Sequence, residues 1–285
     1  MKTNMRLFLA FSIIILTVVP YVKTQSESPP LKTIKVTDSI YEVTGGSGAN
    51  TGFFIGKNQV LVVDAKMSEE SANMMIHEIK KLTPNPVETV ILTHSDGDHV
   101  NGLSGFPKGI DVISHINTRK HMEEAFEEEN LREFLPNKTF RKKMDLYIGN
   151  EKIELIYFYP AHTNGDIVVF FPEQKVAFLG DLIFLNRDPL VHKHKNGNSF
   201  GLAQTLKGIL ELEADTFIHG HGEIAQKQDI QKLVASLEDR QEKIKNLIKK
   251  GKSLEEVKKE FGIEQSQSRW PSLVEIIFKE ITEEK

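Results

Sequence analysis

From Thr33 onward the hydrophobic period of the chain changes repeatedly, and each change marks an element. Ile34-Lys35-Val36 and Ile40-Tyr41-Glu42-Val43 alternate apolar and polar positions, the two-residue period of strands covered on one face. Gly45-Gly46-Ser47-Gly48 breaks the pattern and predicts a mobile turn, after which Phe53-Phe54-Ile55 resumes it. Val60 to Val63 and Val87 to Leu92 are nearly continuous apolar runs, as expected of strands buried on both faces. Between them Ser68 to Leu82 shifts to helical spacing, with Ser68 as N-cap and acids in the first turn. Asp111 to Ser114 reads as a short strand and Thr118 to Glu129 as a charged surface helix.

A second β stretch covers Ile153 to Tyr159, Asp166 to Phe171 and Val176 to Leu179. Leu202 to Glu211 predicts a helix and Thr216 to Ile218 a last short strand. Asp229 to Lys250 is a long helix closed by Gly251, and capping boxes start at Ser253 and at Ser272, the latter after Pro271. Strands, helices, strands and helices in that order predict an α/β protein, a four-layer αββα sandwich of two packed sheets with helices outside and extra C-terminal helices. The expected division is a signal peptide or anchor over 1–25, a flexible leader over 26–32, the main domain over 33–227 and a helical extension over 228–285.

The N-terminal assignment rests on layout. Lys2 and Arg6 precede the almost wholly apolar stretch Leu7–Val19, and Pro20 ends it. Such a stretch is shorter than the roughly 20 residues of a membrane span and fits a secretory signal, with a weak cleavage site after Thr24. Export to a periplasmic or extracellular space is the expectation, and membrane association is expected only if the segment stays uncleaved. Losing residues 1–25 removes Lys2, Arg6 and Lys23 and no acid, taking the formal charge from −4 to −7. A net-acidic chain lacks the electrostatic footprint of a general nucleic-acid binder, so the expected partner is a small-molecule substrate. The absence of cysteine excludes disulfides, thiolate ligands and a cysteine nucleophile together.

Four apolar runs end in the same kind of residue. Ile91-Leu92-Thr93 leads to His94, within His94-Ser95-Asp96-Gly97-Asp98-His99. Tyr157 to Ala161 leads to His162, Ala177 to Gly180 leads to Asp181, and Thr216 to Ile218 leads to His219-Gly220-His221. Strands of one sheet system deliver their ends to a common edge, so residues distant in sequence converge there. Nitrogen and oxygen donors without sulfur suit zinc, iron or manganese. No Walker-type loop offers a phosphate cradle.

These residues resemble the metallo-β-lactamase fold superfamily, whose pattern is His-x-His-x-Asp-His followed by a later His, an Asp and a final His. The matching positions are His94, Asp96, Asp98 and His99, then His162, Asp181 and His221, with Asn50 to Phe53 and the strand ending at Asp64 similar to the family's opening. The resemblance implies two divalent metal ions. His94, Asp96 and His162 would hold the first, Asp98, His99 and His221 the second, with Asp181 bridging and Asp98 also orienting the attacking water. It further implies a metallo-hydrolase in which a metal-bound hydroxide cleaves a lactam, thioester, lactone or ester. The alternatives are a phosphodiesterase on the same fold and a non-catalytic metal-binding protein. Asp96 departs from the pattern, standing where the second histidine is expected, so there are three anionic ligands instead of two. Zinc is the expected metal, and the added carboxylate makes iron or manganese the alternatives.

Weaker features remain. Val191-His192-Lys193-His194-Lys195 reads as a solvated loop, or else as an anion-binding stretch at the site mouth. His219 is expected to be structural, Asp64 to hydrogen-bond behind a ligand, and Gly45 to Gly52 to form either a lid or an ordinary turn. His77, His115 and His121 are placed on surfaces, and Trp270 in packing.

Overall fold

The computed structural model describes residues 29–126, 129–263 and 270–283. The signal-peptide and leader assignments up to residue 28 lie outside them. Two sheets are present. The first runs in the order β1 (Lys32–Lys35), β2 (Ile40–Thr44), β3 (Thr51–Ile55), β4 (Val60–Val63), β5 (Val87–Ile91), β6 (Asp111–His115) and β7 (Lys138–Phe140). The second contains β8 (Lys143–Ile148), β9 (Glu151–Ile156), β10 (Val168–Phe171), β11 (Val176–Phe178) and β12 (Thr216–Ile218), again neighbour to neighbour. The helices are α1 (Glu69–Leu82), the single turn α2 (Gly97–Val100), α3 (Ile116–Ala125), α4 (Ser199–Leu210), α5 (Lys227–Lys249), α6 (Leu254–Glu260) and α7 (Leu273–Glu283).

Strand alternation sorts the core into three layers. In β4, Leu61 and Val63 face the second sheet and join Ile91, Leu155, Val169, Phe171 and Phe178. Val60 and Val62 face the other way, against Ala72, Met75 and Ile79 of α1 and Met122 of α3. In β10, Val168 and Phe170 turn outward to Leu206 and Ile209 of α4, Ile230 and Leu237 of α5, and Ile277 of α7. The C-terminal helices thus belong to the outer layer over the second sheet. The four-layer αββα sandwich expected from the sequence is the fold observed. β7 and β8, rich in lysine and with half-exposed positions, are strands that the apolar pattern did not indicate.

Local chemistry fixes the element ends. Ser68 caps α1 by accepting from Ser71 N, Ser253 and Glu256 form the reciprocal box of α6, and Ser272 Oγ accepts from Glu275 N at the start of α7. The Gly45–Gly52 loop is pinned: Ala49 N donates to Asp98 O and Asn50 N to Gly220 O. Buried Lys66 donates to the carbonyls of Val43, Gly45 and Ala49 from beneath. Contrary to its expected surface place, His115 is buried, accepting at Nδ1 from Asn117 N at the head of α3 and donating from Nε2 to Arg141 O. Among the described residues no helix is long and apolar enough to cross a membrane.

Candidate metal centre

Strand direction explains the convergence. β4, β5 and β6 are parallel, as are β11 and β12, while β10 runs antiparallel to β11 with its start beside the end of β11. Asp64, His94, Asp181 and His221 therefore follow strand ends at one edge. His162 lies in the connection that enters β10 at the same edge, because β9 stops at Ile156 and Tyr157 to Ala161 do not extend it. Ile167 N donates to Thr93 O, stitching the two sheets at this point. Gly180 takes φ +53°, and a Cβ there would lie 2.4 Å from Thr93 Oγ1; one on Gly220 would lie 2.2 Å from Asp181 Oδ1. Both turns need glycine to let the site close.

Seven side chains meet in three overlapping groups of donor atoms: His94 with Asp96 and His162, Asp98 with His99 and His221, and His94 with His99 and Asp181. Asp181 faces the second group, with Oδ1 3.2 Å from His99 Nε2 and Oδ2 3.3 Å from His221 Nε2. Asp98 Oδ2 lies 3.2 Å from His221 Nε2 and 3.8 Å from His99 Nε2. On the other side Asp96 Oδ2 lies 3.1 Å from His162 Nε2 and 3.9 Å from His94 Nε2.

The outward faces of the imidazoles set their tautomers. Thr93 Oγ1 donates to Asp64 Oδ2 at 2.8 Å, so its lone pair receives Nδ1–H of His94 at 3.0 Å. Asp64 Oδ2 also takes Nδ1–H of His99 at 2.8 Å, and Leu190 O takes Nδ1–H of His162 at 3.0 Å. In the neutral ring each inward Nε2 is thereby left as a lone pair. His94 Nε2, His99 Nε2 and Asp181 Oδ1 are buried with no hydrogen-bond partner. Buried donors and acceptors are normally paired, and three unpartnered atoms aimed at one point are what a cation would satisfy. The donor set fits divalent metal ions.

Electrostatics points the same way. Burial lowers the pKa of His99, yet the carboxylates of Asp181 and Asp64 outweigh it and hold the imidazole well above its ordinary value. Burial also opposes charge on His162, but Asp96 raises it to about 9, and Asp181 and Asp98 raise His221 to about 9. Burial would push the Asp98 carboxyl up, whereas His221 beside it holds it below the usual range, so it stays ionised at neutral pH. The centre demands positive charge.

The metallo-beta-lactamase superfamily profile matches residues 44–221, a span that contains all seven side chains. The chain belongs to this superfamily. Among curated relatives, metallo-beta-lactamase IND-1 of Chryseobacterium indologenes is 26% identical over 228 residues, covering 78% of this chain and 93% of its own. The alkyl/aryl-sulfatase BDS1 of Saccharomyces cerevisiae is 35% identical over 81 residues, only 28% of this chain and 12% of the sulfatase. Of solved structures, the DIM-1 metallo-beta-lactamase superposes with a TM-score of 0.65 at 22% identity, covering 75% of this chain and 99% of that one, a likeness of fold.

Within this superfamily member, two side chains at the centre were not recognised from sequence. His192 Nε2 is 3.0 Å from Asp96 Oδ2, and Lys195 Nζ is 2.7 Å from Asp96 Oδ1. His192 is buried, so the 191–195 stretch is not the solvated loop that its polarity suggested. The signal available was its His-x-His pattern, beginning eleven residues beyond Asp181. Of the other expectations, His219 turns away and donates from Nε2 to Glu223 O, Asp64 sits behind His99 and Thr93, and Trp270 stacks on His194.

Proposed function

We propose that this superfamily member is a metal-dependent hydrolase acting on a carbonyl substrate of the lactam, thioester, lactone or ester class. The observation that supports this reading best is the set of buried, unpartnered Nε2 and carboxylate atoms facing one another at the sheet edge. Divalent cations bound there would polarise a substrate carbonyl and bring the pKa of a coordinated water down to about 7. His94, Asp96 and His162 would hold one, Asp98, His99 and His221 the other, with Asp181 between them.

The protein's own groups do the rest. Asp98 is the most open carboxylate of the set and stays ionised at neutral pH, so it can accept a hydrogen bond from the attacking water and orient it. Asp64 and Thr93 hold the rings of His99 and His94 in one tautomer. Phe184 stacks on His221 at that edge. A cleft of about 480 Å³ opens beside Ser95, Gly97 and Lys195, with Val100, Leu103, Met122 and Phe134 along its apolar wall, suited to the carbon skeleton of such a substrate.

The test is hydrolysis of a cephalosporin, a p-nitrophenyl ester, an acyl thioester and a lactone, before and after chelation. At least one should turn over, fail on chelation and on His162→Ala, and recover on adding metal to the wild type. The names of the relatives put the lactam first. Undiminished turnover by fully chelated protein would sink the reading. Cleavage of bis-(p-nitrophenyl) phosphate alone would replace it with a phosphodiesterase.

A further inference from the structure

Asp96 occupies the place of a histidine, yet the first metal position does not lack a third imidazole. We propose that His192, reaching in from the loop after Asp181, is a direct metal ligand there, alongside His94, His162 and Asp96. The inference rests on the metal-centre reading above and extends it to a residue outside the family pattern.

Three imidazole nitrogens surround one oxygen. Asp96 Oδ2 is 3.0 Å from His192 Nε2, 3.1 Å from His162 Nε2 and 3.9 Å from His94 Nε2. With metal–ligand distances near 2.0–2.2 Å, neighbouring donor atoms on a four- or five-coordinate ion stand about 3–3.5 Å apart, and five-coordination leaves room for Asp181. The distances from Asp96 Oδ2 to His192 and His162 are those of neighbouring donors on one ion, and His94, Asp96 and His162 already gather as one donor group that His192 would join. A hydrogen-bonded cluster of the same residues requires a proton on His162 Nε2, the place a metal would take. His162 already donates through Nδ1 to Leu190 O, so its neutral form turns a lone pair on Asp96 Oδ2 from 3.1 Å. Only a proton or a metal between them makes that contact favourable.

The other carboxylate oxygen is accounted for separately. Lys195 Nζ bonds Asp96 Oδ1 at 2.7 Å, and also Ser95 O and Oγ at 3.1 Å each. This aims Oδ2 at the imidazoles and offsets one of the three anionic ligands. Net ligand charge returns to that of the two-carboxylate pattern, while the imidazole count rises from two to three. A position so composed is softer than Asp96 alone would make it, which favours zinc.

The loop that carries His192 is built to hold it. His192 N donates to His162 O at 2.8 Å, and His192 O receives Lys195 N and Gly197 N. Lys193 reaches Glu280 of α7, which is buried and also takes Ser199 N. Trp270 lies 4.7 Å, ring to ring, from His192. The C-terminal helices therefore brace a ligand that the strand ends do not supply.

The experiment is proton NMR of the full-length cobalt(II)-loaded protein. Each ligand bound through Nε2 displays one hyperfine-shifted, exchangeable Nδ1–H. Five are expected, from His94, His162, His192, His99 and His221, and four in His192→Ala. The variant should also lose metal at one position by about 10–100-fold, with the other unchanged, and added imidazole should restore it. Four signals in the wild type overturn the proposal, even if the variant binds metal more weakly, because a residue that only hydrogen-bonds Asp96 would do that. The count on the wild type stands whether or not the variant folds. Failure of the wild type to bind cobalt at all would instead remove the metal-centre reading itself.

Discussion

The two halves of the centre are supported in different ways. The second position, Asp98 with His99 and His221, stands on strand ends and on the turns between them. Its backing groups Asp64 and Gly220 come from the same edge, and the pinned Ala49 N closes on Asp98 O. The first position takes His94 from a strand end, but its Asp96 is held by Lys195 and His192, ninety-odd residues away on a loop tied to α7. One half is scaffold, and the other is assembled from a long-range clamp. The halves should therefore fail differently when disturbed.

The largest effect is expected in the scaffolded half. Asp98→Asn keeps the shape of the side chain and removes its charge, so kcat should fall by roughly 10²–10⁴-fold. Metal content measured alongside separates loss of the water-orienting group from loss of the ion. An unchanged kcat would remove Asp98 from the chemistry.

The clamp comes next. Glu280 bonds Ser199 N, Ser199 Oγ and Lys193 Nζ from a buried position. Glu280→Ala should cost about 2–3 kcal/mol in urea unfolding, since the amide and ammonium are left without their carboxylate. Lys193 is half exposed, and its share is the smaller one. Metal should be weakened at the first position only. Equal weakening at both would show that the clamp serves the whole fold.

This division also governs how much the sequence reveals. His94, Asp98, His99, His162, Asp181 and His221 were legible because each sits at or near the end of an apolar run, and a strand end has a predictable place. The four-layer fold was legible from the same runs, with Val60 to Val63 splitting cleanly between two cores. His192 and Lys195 were not legible, since a polar loop of histidines and lysines has the same composition whether it faces water or a carboxylate. Only the fold of the loop buries His192. β7 and β8 escaped for a related reason: Lys138, Lys143 and Asp145 are exposed on strands whose pairing is long-range, so their pattern carries little apolar signal.

The groups behind the ligands sharpen the contrast further. Asp64 serves both halves, taking His99 directly and His94 through Thr93. Asp64→Asn should lower affinity at the second position by about 10–100-fold and at the first by less. Thr93→Val, which leaves the acceptor for His99 in place, should weaken only the first. Isothermal titration with zinc after chelation resolves the two steps. Equal losses at both positions in Thr93→Val would contradict the relay from Thr93 to His94.

The smallest effect concerns the floor under the second position, where buried Lys66 holds the Gly45–Gly52 loop and Glu42 lies in the adjoining strand. Burial and Glu223 raise the Glu42 carboxyl to about 7, and burial lowers the Lys66 ammonium to about 8. Between pH 4.5 and 7 the unfolded chain has released the Glu42 proton that the folded chain keeps, so this group removes stability as pH rises through that window. Between pH 8 and 10.5 the unfolded chain keeps the Lys66 proton that the folded chain has released, so stability returns. The two contributions leave a minimum near pH 7–8. Glu42→Gln abolishes the first slope, so its stability relative to wild type should rise by on the order of 1–2 kcal/mol between pH 5 and pH 8. Urea unfolding of chelated protein at those two pH values measures the difference, and chelation keeps metal binding out of the slope. A parallel pH dependence in variant and wild type would show that Glu42 is already ionised in the fold, and that Lys66 owes its place to the three carbonyls alone.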